Sequence, residues 1–440
     1  MNSKRVLMAT VALILALGLP AGAGEFFFRD GDTVVVMGDS ITEQHLYSNY
    51  LEAWTLMRFP AWKITFHNVG IGGDSSRGGN SRFVRDVAAY KPTTLTVDFG
   101  MNDGGYRAFD QSFFDNYMAG LAGIAKQAKE AKLRVAWITP SPVEKNEDGA
   151  AIEGYNRTLE SFSKGVEKVA AENGGVFVDQ FHPCVAVEDR ARAAKPSNRM
   201  GGGDAVHFGP PGQAVMASAI LKGLSFPTLV AAVEIDASGQ VCKSDNCKVI
   251  EATATSGGVK FTQLDKALPF FPAEAAAILT WSPILEEMNQ YTLKVTGLAE
   301  GKYDVQLGGK AVAQYTNLQL AAGVNLAQAA LKAGPVADQV QAIWNAIKEK
   351  NQFNHDRIYR GLILNNSADK DRGWSLEVSI PWANFQEFSK PPAAGAVWSF
   401  NLNRWDGVEP NRRMSIWSDS MLEQPGPHAP ERFGEMRFVE

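Results

Sequence analysis

The chain has 440 residues, enough for two or three domains at roughly 150 residues each, with 45% apolar residues, 41 glycines and a formal net charge of -5. That is globular composition, neither disordered nor fibrous, and the mild acidity gives no electrostatic reason to expect nucleic acid or an anionic membrane as partner. Residues 1–23 read as a signal peptide: Lys4 and Arg5 precede an apolar run over 6–19, and Ala21-Gly22-Ala23 offers small residues for cleavage. The run is too short to span a bilayer comfortably, so the mature protein is expected to begin near Gly24, to be secreted or periplasmic, and to carry no membrane span.

From residue 33 to about 224, apolar runs alternate with helix-compatible stretches. The strand-like runs cover 33–37, 63–69, 93–99, 133–138 and 176–178, and the helical ones 43–57, 78–90, 110–131, 151–171 and 211–224. Near-continuous apolar strands separated by helices predict a parallel sheet covered on both faces, in which a site forms at the carboxyl ends of the strands. After Pro227 the pattern becomes β-rich, with short strands at 233–236, 249–254, 291–295 and 303–307. Residues 296–303 read as a strand–turn–strand pair. A helix over 335–350 follows, its proline in the first turn. The last segment is again β-like and holds Trp374, Trp382, Trp398, Trp405 and Trp417. These shifts divide the chain into 24–227, a small β-rich region plus helix at 228–350, and 351–440. Cys242 and Cys247 could close a local disulfide in an oxidising compartment, leaving Cys184 as a buried thiol, and three cysteines with six histidines do not indicate a metal site.

Four short blocks carry the chemistry. Gly38-Asp39-Ser40, residues 68–74 and Gly100-Met101-Asn102-Asp103 each close a strand-like run, and Asp204-Ala205-Val206-His207 follows the glycines 201–203 and precedes a helix. Ser40 is a hydroxyl that needs a base. His207 is the candidate base, and Asp204, three residues earlier, can fix its tautomer. The N–H groups of Ser40 and Gly73 and the amide of Asn102 can supply three donors to an oxyanion. Alone, each block also occurs as a turn or a helix cap; together, in order and each at a strand end, they point to acyl-ester hydrolysis. Tyr106 and Asp103 follow Asn102 and His45 follows Ser40 closely, so Tyr106, Asp103 and His45 are candidates to touch substrate. His67 reads as a buried strand residue and His182, after Asp179, as structural.

At these residues the chain resembles the SGNH, or GDSL-type, hydrolases, over about 28–224. The nucleophile block matches Gly38-Asp39-Ser40, the oxyanion glycine falls on Gly73 with Asn68 before it, the asparagine on Asn102, and the last block on Asp204 and His207. Phe208 stands where many relatives have proline. The resemblance implies an α/β fold, a flavodoxin-like three-layer α/β/α domain with strand order 2-1-3-4-5, and cofactor-free ester hydrolysis through an acyl-serine. Residues 373–382, 398–404 and 431–438 resemble the closing half of family 9-like carbohydrate-binding modules. With export, this suggests removal of an O-acyl group, most readily acetyl, from a carbohydrate. The same residues would serve a lipid esterase or lysophospholipase acting on another small ester, and a carbohydrate-binding surface protein with an idle hydrolase domain is the reading from another class.

Overall fold

The computed structural model describes residues 25–145, 150–200 and 204–364, and four strands beyond them. The signal segment, the glycines 201–203, and Trp374, Trp382 and Trp417 lie outside the described residues. Contacts divide the chain into two compact units, Met1–Ala368 and Asp369–Glu440.

In the first unit β1 (Thr33–Gly38), β2 (Thr65–Asn68), β3 (Thr94–Asp98), β4 (Arg134–Ile138) and β5 (Val176–Val178) form one parallel sheet in the order β2-β1-β3-β4-β5. All of β3 and all but the first residue of β1 are buried, as a sheet with both faces covered requires. Side chains alternate between faces. Val34 and Val36 join the core of α2 (Leu46–Arg58), α6 (Phe181–Ala194) and α7 (Pro210–Gly223). Val35 and Met37 join that of α3 (Ser76–Asp86), α4 (Gln111–Glu130) and α5 (Ala150–Asn173). The result is the three-layer α/β/α arrangement expected from the strand–helix alternation. Two details differ. The helix expected from residue 43 is two pieces, α1 (Ser40–Glu43) and α2, broken at His45 with φ 60°. Helix α6 has no counterpart among the expected helices, because its short apolar run is interrupted by Pro183 and charged residues.

The β-rich region packs onto this domain. Its sheet joins β6 (Leu229–Asp236), β7 (Val241–Asp245), β10 (Gln290–Thr296) and β13 (Val324–Asn325) in the order β13-β10-β6-β7. Strand β6 runs parallel to β10, and β7 antiparallel to β6. The hairpins β8–β9 (Cys247–Thr255, Gly258–Asp265) and β11–β12 (Lys302–Leu307, Lys310–Thr316) stand beside it. The turn at 297–301 is present, yet β10 does not pair with β11; it is taken by β6 and by β13 instead. Cys242 and Cys247 are both free, not bridged: one is exposed on β7 and the other buried at the start of β8. Trp54 of α2 meets Phe270 edge-on at 5.2 Å, Tyr50 meets Trp344 at 5.5 Å, and the Arg58 guanidinium donates to Met288 O at 3.1 Å. The two regions therefore share a core. The long helix Pro335–Phe353 and the π-type helical segment Asn354–Leu364 run back over α2 and α3.

In the second unit, the strands Val397–Phe400 and Gly434–Arg437 pair antiparallel, as do Asn403–Asp406 and Arg413–Ile416. No helix among the described residues is long and apolar enough to cross a membrane.

Candidate active site

Ser40 sits where β1 turns into α1. Any Cβ on Gly38 would collide with Thr42 Oγ1 and lie 2.7 Å from Asp98 O, so only glycine fits that turn. The buried Asp39 carboxylate accepts from Ile41 N at 2.9 Å and caps α1, which leaves Ser40 as its first residue. Ser40 Oγ lies 2.8 Å from His207 Nε2, and His207 Nδ1 lies 2.8 Å from Asp204 Oδ2. An ionised Asp204 only accepts, so Nδ1 carries the hydrogen and Nε2 is left as the acceptor for the serine proton. Partial burial pushes the Asp204 carboxyl up, but the backbone N–H and imidazole of His207 and the N–H of Val206 outweigh it and hold it below the usual carboxylate range. Those amides donate to Asp204 Oδ1 at 2.7 and 2.8 Å.

The residues expected to donate to an oxyanion, besides Ser40, are Gly73 and Asn102. Gly73 has φ 72°, and the space where its Cβ would stand is open. Conformation, not crowding, therefore demands glycine there. Gly70 is the crowded one, because a Cβ there would collide with the backbone N of Glu43. Asn102 Nδ2 donates to Asp74 O at 2.8 Å, and Asn102 Oδ1 accepts from Tyr106 OH at 3.0 Å. A donor on one side and an acceptor on the other fix the amide's orientation and leave one N–H for an oxyanion. Tyr106, half exposed and at φ 55°, stacks on Tyr155 at 5.2 Å. Asp103 is turned away: its carboxylate accepts from Ser76 N and Oγ, the latter at 2.6 Å, and ties α3 to the Asn102 loop. Asn68 is likewise a staple, donating to Thr42 O and Ser48 Oγ and accepting from Gly70 N.

Burial and the charges of Asp103 and Asp74 raise Asp39 to about 7, and burial raises Asp103 to about 6. Arg82, which sequence reading did not single out, pairs with Asp74 and Asp86. Its Nε donates to Asp74 Oδ2 at 2.7 Å, Nη1 to Val69 O at 2.6 Å and Nη2 to Gly38 O at 3.0 Å. One guanidinium thus holds the ends of β1 and β2. Helix α3 carries three arginines, Arg77, Arg82 and Arg85, and nothing local in the sequence marks the one that is buried.

Three other histidines stand apart from this group. His45 does not line a pocket mouth: both its ring nitrogens are buried without partners, and its ring meets His355 edge-on at 4.6 Å. The left-handed turn at His45 directs the ring toward the helix Pro335–Phe353 and the segment after it, and burial with the neighbouring His355 depresses its pKa to about 4. His67 stacks on Tyr90 at 4.1 Å. His182 pairs with Asp179 at 2.7 Å on an exposed surface.

Residues 36–215 match the family model of GDSL-like lipases and acylhydrolases. An acetylxylan esterase of Geobacillus stearothermophilus is 26% identical over 220 residues, which is 47% of this chain and 96% of that protein. The solved structure of a gut microbial diltiazem-metabolizing enzyme is 28% identical with a TM-score of 0.68, covering 78% of this chain and 84% of that one. That share exceeds the hydrolase domain, so the likeness extends into the residues that follow it. A solved acetylxylan esterase from Geobacillus stearothermophilus is 23% identical, with a TM-score of 0.39 over 46% of this chain and 97% of that one. The domain that holds Ser40, Gly73, Asn102, Asp204 and His207 belongs to the GDSL-like lipase/acylhydrolase family, and the chain is a carboxylic ester hydrolase.

Proposed function

We propose that the protein is an exported esterase that removes O-acetyl groups from a carbohydrate, with Ser40 as nucleophile, His207 as general base and then acid, and Asp204 as the group that orients it. Ser40 Oγ attacks the ester carbonyl while His207 Nε2 takes its proton, and the imidazolium is stabilised by Asp204. The oxyanion is held by the N–H groups of Ser40 and Gly73 and the free N–H of Asn102. Collapse expels the sugar hydroxyl, which receives the proton from His207. Water, activated by the same imidazole, then attacks the acyl-serine, releases acetate and restores Ser40.

The observation that carries this reading is the unbroken run Ser40–His207–Asp204 at 2.8 Å per bond, together with Asn102, whose amide is oriented by Asp74 and Tyr106. The acetyl-carbohydrate preference draws its support from the similarity to an acetylxylan esterase over 96% of that protein. Export draws its support from residues 1–23, and a carbohydrate polymer from the tryptophan-rich C-terminal sequence.

The test is acetate release from acetylated xylan and from p-nitrophenyl acetate by wild type and Ser40→Ala. Loss of a lone nucleophile costs roughly a millionfold in kcat, so the variant should release acetate from neither. Cleavage of the small ester alone by wild type would sink the carbohydrate assignment and leave the serine mechanism standing.

A further inference from the structure

We propose that the segment after the β-rich region is part of the catalytic apparatus, and that Tyr359 is a positioning residue which holds the oxyanion loop through Arg82. The proposal rests on the chain being an ester hydrolase, not on the identity of its alcohol.

Tyr359 is 1% exposed, and its hydroxyl reaches a network belonging to a part of the chain 277 residues away. The hydroxyl lies 3.0 Å from Asp86 Oδ2, 3.2 Å from Arg82 Nη1 and 3.3 Å from Val69 O. Arg82 donates to Asp86 Oδ2 at 2.9 Å as well as to Asp74, Val69 and Gly38. Its Nη1 has two hydrogens for three neighbouring acceptors, Val69 O, Asp86 Oδ2 and Tyr359 OH. The phenol's own hydrogen, donated to Asp86 or to Val69, supplies the bond that Nη1 alone leaves unmet. This fixes the guanidinium between two carboxylates in a site that excludes water, where Arg82 is 7% and Asp86 0% exposed. Such a charge network is rigid when every member is satisfied and costly when one donor is missing.

What Arg82 holds is the oxyanion machinery. Gly38 stands two residues before Ser40. Val69 opens the loop that ends in Gly73, and the carbonyl of Asp74 is the acceptor that orients Asn102. A shift of the guanidinium would move all three donors relative to the attacked carbonyl, and preorganisation of such donors is where the rate is set.

The same segment also braces the nucleophile. Lys350 Nζ donates to Glu52 Oε1 at 2.7 Å, and Asn351 Nδ2 to Asn49 Oδ1 at 2.8 Å and Glu52 Oε2 at 2.7 Å, docking the helix Pro335–Phe353 on α2. His355 then closes over His45 in the turn that follows α1. One strap thus touches the turn behind Ser40 and the arginine behind Gly73 and Asn102.

The test uses the full chain with p-nitrophenyl acetate, so it is independent of the sugar. Tyr359→Phe keeps the ring and removes only the hydroxyl. We expect kcat to fall about tenfold, a fraction of the loss on deleting one oxyanion donor, with KM within about twofold because ground-state binding is untouched. In the double variant with Asn102→Ala the Tyr359 effect should shrink to about twofold or less, since both act on one group of donors. An unchanged kcat, a loss seen mainly in KM, or losses that simply multiply would overturn the proposal. Should Tyr359→Phe fail to fold, Asn351→Ala loosens the strap at α2 without touching Arg82. A kcat-selective loss there supports the proposal, and an unchanged kcat overturns it.

Discussion

Asp39→Asn should make the protein more stable at alkaline pH and leave it nearly unchanged in acid. Asp39 is 3% exposed; burial dominates its environment, Asp103 and Asp74 add like charge, and Ile41 N is its stabilising donor. Its pKa rises from the ordinary 3.8 to about 7. Between those values the folded state keeps a proton that the unfolded chain has released, so stability falls as pH rises across that window. At about 1.4 kcal/mol per pH unit, ionising Asp39 in the fold costs about 4 kcal/mol by pH 8. Asparagine caps a helix as well as aspartate and never ionises. Losing the charge also relieves Asp98, whose carboxyl is raised by burial and by Asp39, and this acts in the same direction. Denaturant unfolding at pH 4 and pH 8 measures the gap between variant and wild type. The gap should open from near zero to about 4 kcal/mol, the full ionisation cost. A gap that is equal at both pH values, or one in which the variant is the weaker at pH 8, would refute the assignment of that cost to Asp39.

Tyr106→Phe keeps the stack on Tyr155 but frees Asn102 Oδ1. The expected result is a kcat loss of about threefold to tenfold on p-nitrophenyl acetate, below the cost of removing the Asn102 donor itself. A rise in KM with kcat intact would instead mark Tyr106 as a substrate contact only. Trp54→Ala, at a residue 1% exposed and packed on Phe270 and Phe271, should cost about 3–5 kcal/mol. Because the β-rich region and the hydrolase domain share that core, calorimetry should show one shifted transition for them rather than two.

The sequence displayed the chemical groups because each is local to a strand end. Gly38-Asp39-Ser40 announces a strand-to-helix turn, and a glycine at 73 and an asparagine at 102 close two further strands; the sheet order then follows from a βαβ pattern that permits few alternatives. What was not legible lies in long-range pairing. The glycines at 297 and 301, at φ 76° and 159°, mark a turn correctly, but a turn does not say which edge each strand will join, and β10 found β6. His45 is near Ser40 in sequence and directed away from it by one left-handed residue. Tyr359 has no local signature at all: its role exists only because the chain returns to Arg82 after 277 residues.

The two Asp-x-x-His pairs show how a local motif acquires its function. Asp179 and His182 bond at 2.7 Å, Asp204 and His207 at 2.8 Å, and in both pairs the aspartate also accepts from the histidine's own N–H. Three-residue spacing is enough to build either pair, so spacing cannot choose between them. Docking chooses. Buried Gln213 on α7 accepts from Tyr47 N at 3.1 Å and donates to Gln44 Oε1 at 3.0 Å, and Gln44 in turn reaches Phe208 O. These bonds join the start of α7 to the residues just after Ser40. Phe208, fully buried against Gly212, anchors the residue next to His207. His207 is delivered to Ser40 because the helix behind it is bonded to the helix behind the serine, and no such connection exists for His182 among the described residues.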